Sequence, residues 1–198
     1  MDLLFNRTEL ETIHNGGLSP DPNQNSTLFG SEPSWDMSPT EYFSMFSAPL
    51  PGANYNSLVV STGGHWSLKL LEGLPSGYPD IQNLFRLAMT TWAYEAGRYL
   101  DALGLKNTRS ILVRAYLPGD DNCHAPEIMS GGPWSHPKSL VGASYNWEWI
   151  PRMNDAFSDI IATRGHKNLH YLGIDRPGRL RPDAVSVMYQ SLCTHLID

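Results

Sequence analysis

The sequence predicts an α/β protein with a mostly parallel sheet covered by helices on both faces, a three-layer α/β/α arrangement. Three observations predict it. Short apolar runs rich in β-branched residues at 57–61, 110–116 and 169–172 read as buried strands. Longer stretches with a helical apolar repeat separate them. Strands that alternate with helices are joined by crossovers, which is how parallel neighbours connect.

The chain has 198 residues, enough for one domain, and its hydrophobic content of 41% excludes disorder throughout. Fourteen basic against 20 acidic side chains give a net charge of −6 with no local basic cluster, which argues against nucleic acid and anionic membrane as partners. No stretch approaches the roughly 18 apolar residues of a membrane span. The first residues lack the layout of a signal peptide. Cys123 and Cys193 permit one disulfide without requiring it and form no zinc site by themselves. Asn6-Arg7-Thr8 and Asn25-Ser26-Thr27 fit the N-glycosylation pattern, which matters only in the secretory route.

Residues 1 to about 35 are polar and turn-rich, with Gly16-Gly17 and Ser19-Pro20-Asp21-Pro22, and read as a flexible leader outside the core. Ser38-Pro39-Thr40-Glu41 is a capping box with proline at the first helical position, so a short helix is expected through Tyr42, Phe43, Met45 and Phe46, ending before Pro49. The strand at 57–61 runs into Thr62-Gly63-Gly64. Asp80 is expected to cap a long amphipathic helix through Ile81, Leu84, Phe85, Ala88, Trp92, Ala96, Tyr99 and Leu103, with Gly104 as its stop. After the strand at 110–116 comes a polar, Gly/Pro-rich stretch to about Gly142. A second long helical pattern runs from Trp149-Ile150 through Met153, Phe157, Ile160 and Ile161. In parallel sheets ligands bind beyond the carboxyl ends of the strands. That edge gathers Thr62-Gly63-Gly64-His65, the loop from Leu117 to His124, and Asp175.

Gly63-Gly64 carry no Cβ, so their N–H groups suit close approach by a substrate or an oxyanion, although a glycine pair also makes an ordinary turn. His65 is either a base or donor toward a substrate or a ring packed on Trp66. His124, with Asp120 or Asp121 to orient it, either faces the same cleft or belongs to a solvated acidic loop. His65, His124 and His136 lack metal-ligand spacing, and no metal or cofactor is expected. Trp134, Tyr145, Trp147 and Trp149 are dense enough for a sugar-stacking platform and equally serve a core. Ser31 follows no apolar strand and is not read as a nucleophile.

Leu58-Val59-Val60-Ser61-Thr62-Gly63-Gly64-His65-Trp66 resembles the Asn-Thr-Gly-His-Trp block of the PC-esterase family. This is the trichome-birefringence-like and capsule O-acetyltransferase group of SGNH/GDSL-like acyl-esterases. Further pieces follow in the family's order: Arg114-Ala115-Tyr116-Leu117-Pro118-Gly119, then Cys123-His124, Trp134, and the run from Tyr145 to Asn154, similar to fungal members. The segment from Tyr171 to Ala184 resembles the approach to the family's last catalytic block. The resemblance covers about residues 36–185 and leaves 186–198 as a divergent tail. It implies a three-layer SGNH-like fold, incomplete here at both ends, and transfer or hydrolysis of acetyl esters on a glycan or polysaccharide in the secretory pathway or Golgi. Thr62, Gly63, Gly64, His65, Trp66, Arg114 and His124 fall at its oxyanion or substrate-binding positions.

The family's mechanism uses the serine of a Gly-Asp-Ser turn and an Asp-x-x-His pair near the C-terminus. This sequence has no Gly-Asp-Ser, and Leu192 stands three residues before His195 where the pattern has Asp. Gly173 also stands where relatives have Asp, and the usual Asn of the first block falls on Ser61 or Thr62. No catalytic residue is therefore assigned, and the expectation is an inactive acetyltransferase or esterase domain. The alternative is a non-catalytic glycan-binding or structural module.

Overall fold

The computed structural model describes residues 3–21, 23–34, 37–47, 55–104, 108–117 and 149–175. In chain order these form α1 (Arg7–His14), α2 (Pro39–Ser47), β1 (Ser57–Val60), α3 (Tyr78–Ala102), β2 (Ser110–Arg114), α4 (Ile150–Arg164) and β3 (Leu169–Leu172). The strands make one parallel sheet in the order β1-β2-β3, with Leu58 beside Ile111 and Ile111 beside Leu169. The α/β class with a parallel sheet is thus present.

The strand order explains the layering. When each right-handed crossover steps to the next strand in the same direction, both crossover helices fall on one face of the sheet. Leu58, Val60, Ile111, Val113, Leu169 and Tyr171 point into the core shared with α3 and α4. On the other face Val59 is 57% and Leu172 39% exposed. Among the described residues the helical cover therefore lies on one face, where the sequence led us to expect two.

Helix α3 forms where its apolar repeat indicates, burying Ile81, Leu84, Phe85, Ala88, Met89, Trp92, Ala93, Ala96 and Leu100. It starts earlier than expected. Gly77 is the N-cap, with φ of +68°, and Asp80 lies within the first turn, its Oδ2 accepting from Ser76 N–H at 2.9 Å. Pro79 explains the earlier start, because proline is pre-organised for the first helical turn. Gly104, at φ of +86°, follows the last turn as expected. Half of the capping box of α2 is formed, Ser38 N–H donating to Glu41 Oε2 at 2.8 Å, while the Ser38 hydroxyl accepts from Thr40 N–H at 3.3 Å and not from Glu41 N–H.

The stretch read as a flexible leader is not loose where it is described. Leu3, Leu4, Phe5, Leu10 and Leu28 are buried in the common core. Helix α1 is fixed by its own capping box, Asn6 Oδ1 accepting from Glu9 N–H at 2.8 Å and Glu9 Oε2 from Asn6 N–H at 3.1 Å. Tyr42 donates to Leu4 O at 2.9 Å and accepts from Trp92 Nε1 at 2.5 Å, tying this segment to α2 and α3. Further along, Gly30 N–H donates to Leu70 O at 2.9 Å and Gly73 N–H to Leu28 O at 3.1 Å, joining two irregular segments. Polar composition hid these anchors, since a few leucines bury about 1.5–3 kcal/mol each whatever surrounds them.

Candidate functional site at the carboxyl edge of the sheet

Beyond β1 the chain turns through Thr62, Gly63 and Gly64, all buried, to half-buried His65 and buried Trp66. Trp66 Nε1 donates to Thr62 Oγ1 at 2.9 Å, and its ring meets Phe85 edge-on at 5.0 Å. These two candidates thus close the turn onto the core. The glycines are required by a neighbour: a Cβ on Gly63 would lie 2.9 Å from Tyr116 Cβ, and one on Gly64 2.8 Å from Tyr116 Cζ. Tyr116 packs against the bare backbone at this point.

Tyr116 is placed by α4. Asn154, buried on that helix, accepts from Tyr116 N–H through Oδ1 at 3.0 Å and donates through Nδ2 to Tyr116 O at 2.9 Å. The amide does for the end of β2 what one more strand residue would do. Sequence reading singled out neither residue as a site group. A signal was present, because Asn154 interrupts the apolar stripe of Ile150, Met153, Phe157 and Ile161.

Beyond β3, Asp175 is buried at the same edge. Burial, reinforced by Asp175 and then Asp155, pushes the Tyr171 phenol well above its ordinary range and keeps it protonated. Arg114, the last residue of β2, is half-buried on the open face of the sheet. Ser61, just past β1, has a buried Oγ without a hydrogen-bond partner among the described residues.

Trp149 stacks on Tyr78, with ring centres 5.2 Å apart, and carries the Arg152 guanidinium at 4.8 Å. Its ring surface is therefore engaged within the protein. His124, Asp120, Asp121, His136, Trp134, Tyr145, Trp147, Cys123 and Cys193 lie outside the described residues, as does the stretch around Leu192 and His195. Among the described residues no cluster of His, Cys, Asp and Glu suits a metal ion, and no helix is long and apolar enough to cross a membrane.

The sheet thus brings together Thr62, Gly63, Gly64, His65, Trp66, Tyr116 and Asn154, with Arg114 and Asp175 at the ends of the neighbouring strands. Compared with protein-family models, with curated proteins and with solved structures, the chain gives no match.

Proposed function

We propose that this chain is an SGNH-like polysaccharide O-acetyltransferase or acyl-esterase domain that lacks the catalytic triad and retains a glycan-binding edge. The observation that carries the reading is the position of Thr62-Gly63-Gly64-His65-Trp66. It leaves a parallel strand at its carboxyl end, with Arg114 and Asp175 ending or following the next two strands. This is the edge at which α/β sheets bind ligands. This sequence contains no Gly-Asp-Ser to supply a nucleophile, and Leu192 stands where an aspartate would orient His195 as base; loss of such groups costs several orders of magnitude in rate.

A second reading, a structural module, is favoured by the engagement of Thr62 with Trp66 and by Tyr116 on the glycine pair. Two measurements test the choice. Turnover of p-nitrophenyl acetate by the full chain, beside His65→Ala and His195→Ala, is expected to equal buffer. A rate abolished by either substitution overturns the loss of catalysis. Titration with neutral and acidic oligosaccharides is expected to show saturable binding, and its complete absence leaves the structural module.

A further inference from the structure

We propose that Asn25 is an acceptor for N-linked glycan and that Asn6, the other asparagine in a matching triplet, is not. Asn6-Arg7-Thr8 and Asn25-Ser26-Thr27 are equivalent as sequence and differ in what folding does to them. The modification is independent of the glycan-binding reading above.

Transfer joins the asparagine Nδ2 to C1 of a sugar carried on a lipid pyrophosphate. The N–C bond forms, the C–O bond to phosphate breaks, the pyrophosphate leaves with its electron pair, and Nδ2 gives up a proton to solvent. The triplet and its neighbours must lie extended in the transferase, so a folded chain is modified where a few residues leave the surface at low cost. Asn25 meets that condition. Asn23, Gln24, Asn25, Ser26 and Thr27 are all exposed and belong to no helix or strand. Among the described residues neither the Asn25 amide nor the Thr27 hydroxyl is engaged in a hydrogen bond. Lifting the triplet gives up the bonds of Ser26 alone, whose hydroxyl meets the Glu11 carboxylate and accepts from Leu28 N–H at 3.2 Å and Phe29 N–H at 3.1 Å. The first buried side chain, Leu28, lies beyond it.

Asn6 is the opposite case. It is half-buried, its Oδ1 caps α1 at Glu9 N–H and its own N–H donates to Glu9 Oε2. Arg7, the middle residue of that triplet, reaches Ser34 Oγ at 3.1 Å and Glu32 O at 2.5 Å, with its guanidinium 4.7 Å above the Phe29 ring. Leu3, Leu4 and Phe5 before the triplet and Leu10 after it are buried in the core. Extending these residues dismantles the cap of α1 and draws four apolar side chains into water.

The test presents the folded full chain to a purified single-subunit oligosaccharyltransferase with a lipid-linked oligosaccharide, and mass spectrometry of its peptides reads the occupancy of each asparagine. Synthetic peptides spanning residues 1–14 and 18–32 serve as unfolded references, and both should be modified. In the folded chain Asn25 should react within a few-fold of its free peptide, whereas Asn6 should be slowed by about a hundredfold or more, since access follows the population of the locally opened state. Thr27→Ala should abolish modification of the folded chain, and Thr8→Ala should leave it unchanged. Asn6 reacting in the folded chain as fast as in its peptide overturns the discrimination. Slowing of Asn25 to the same extent as Asn6, or an inert 18–32 peptide, overturns Asn25 as the acceptor.

Discussion

Asn154 holds Tyr116 by both of its backbone hydrogen-bonding groups, accepting the N–H at 3.0 Å and donating to the carbonyl at 2.9 Å. Tyr116 in turn rests on Gly63 and Gly64. A helix, a strand end and the candidate turn are thereby coupled through one buried amide. Asn154→Leu removes two buried hydrogen bonds to the Tyr116 peptide groups and should cost about 2–4 kcal/mol in urea unfolding. Asn154→Asp should be destabilising at neutral pH and partly recover in acid, where a protonated carboxyl again donates to the Tyr116 carbonyl. Equal stability of parent and Asn154→Leu would show that the clamp contributes nothing.

The N-terminal segment is predicted to be part of the folding unit. Leu10 is fully buried, so Leu10→Ala should cost about 2–5 kcal/mol, as core truncations do. Tyr42→Phe removes the donor to Leu4 O and strands the Trp92 indole N–H, for about 1–3 kcal/mol. Thermal unfolding of both variants should report a loss in the single main transition. A separate early transition, or no change, would return residues 3–14 to the status of a loose leader.

The three strands and both long helices were legible from periodicity, because burial of one face writes itself into the spacing of Ile81, Leu84, Phe85 and Ala88. Helix α1 was missed although its capping box, Asn6 with Glu9, is in the sequence, since Asn6 was weighed as a glycosylation acceptor and the turn-rich context as disorder. Of the site, the backbone positions were legible and their employment was not. Gly63 and Gly64 announce a close approach, but only the fold shows that the approaching group is Tyr116. That the described crossover helices share one face of the sheet follows from strand order, which no local pattern encodes.

Two glycines, Gly73 at an exposed position and buried Gly97, should respond differently to alanine. A Cβ on Gly73 would drive into the backbone of Thr27 and Leu28, with Leu28 Cα at 2.8 Å, where nothing yields cheaply. Gly73→Ala should unfold the junction between residues 27–30 and 70–73 and speed hydrogen exchange at Gly30. On Gly97 the Cβ meets the guanidinium of Arg164, with Cζ at 2.7 Å, and that flexible end can swing away. Helix propensity then favours alanine by about 1 kcal/mol, offset by the displaced Arg164, so Gly97→Ala should be near neutral. Comparable large losses in both would contradict the assignment.

Glu95 makes stability depend on pH. It lies on α3 between Trp92 and Tyr99, which flank it along the helix and both pack on Phe43. Burial raises its carboxyl above the ordinary value of about 4.5, and Glu9 on α1 adds to the rise while Arg98 on its own helix opposes it. Tyr42 on α2, its phenol pushed up chiefly by burial, also faces this carboxylate. A carboxyl whose value is raised on folding binds its proton more tightly in the native state. Its contribution is therefore fully present below the unfolded value and is lost as pH rises through the raised native one. The unfolding free energy of the parent should fall by that contribution between about pH 4.5 and neutrality. Glu95→Gln, which cannot ionise, should exceed the parent at pH 7 and flatten the profile across that window. Urea unfolding at a series of pH values reads both, and a parent profile that Glu95→Gln leaves unaltered would remove Glu95 as its source.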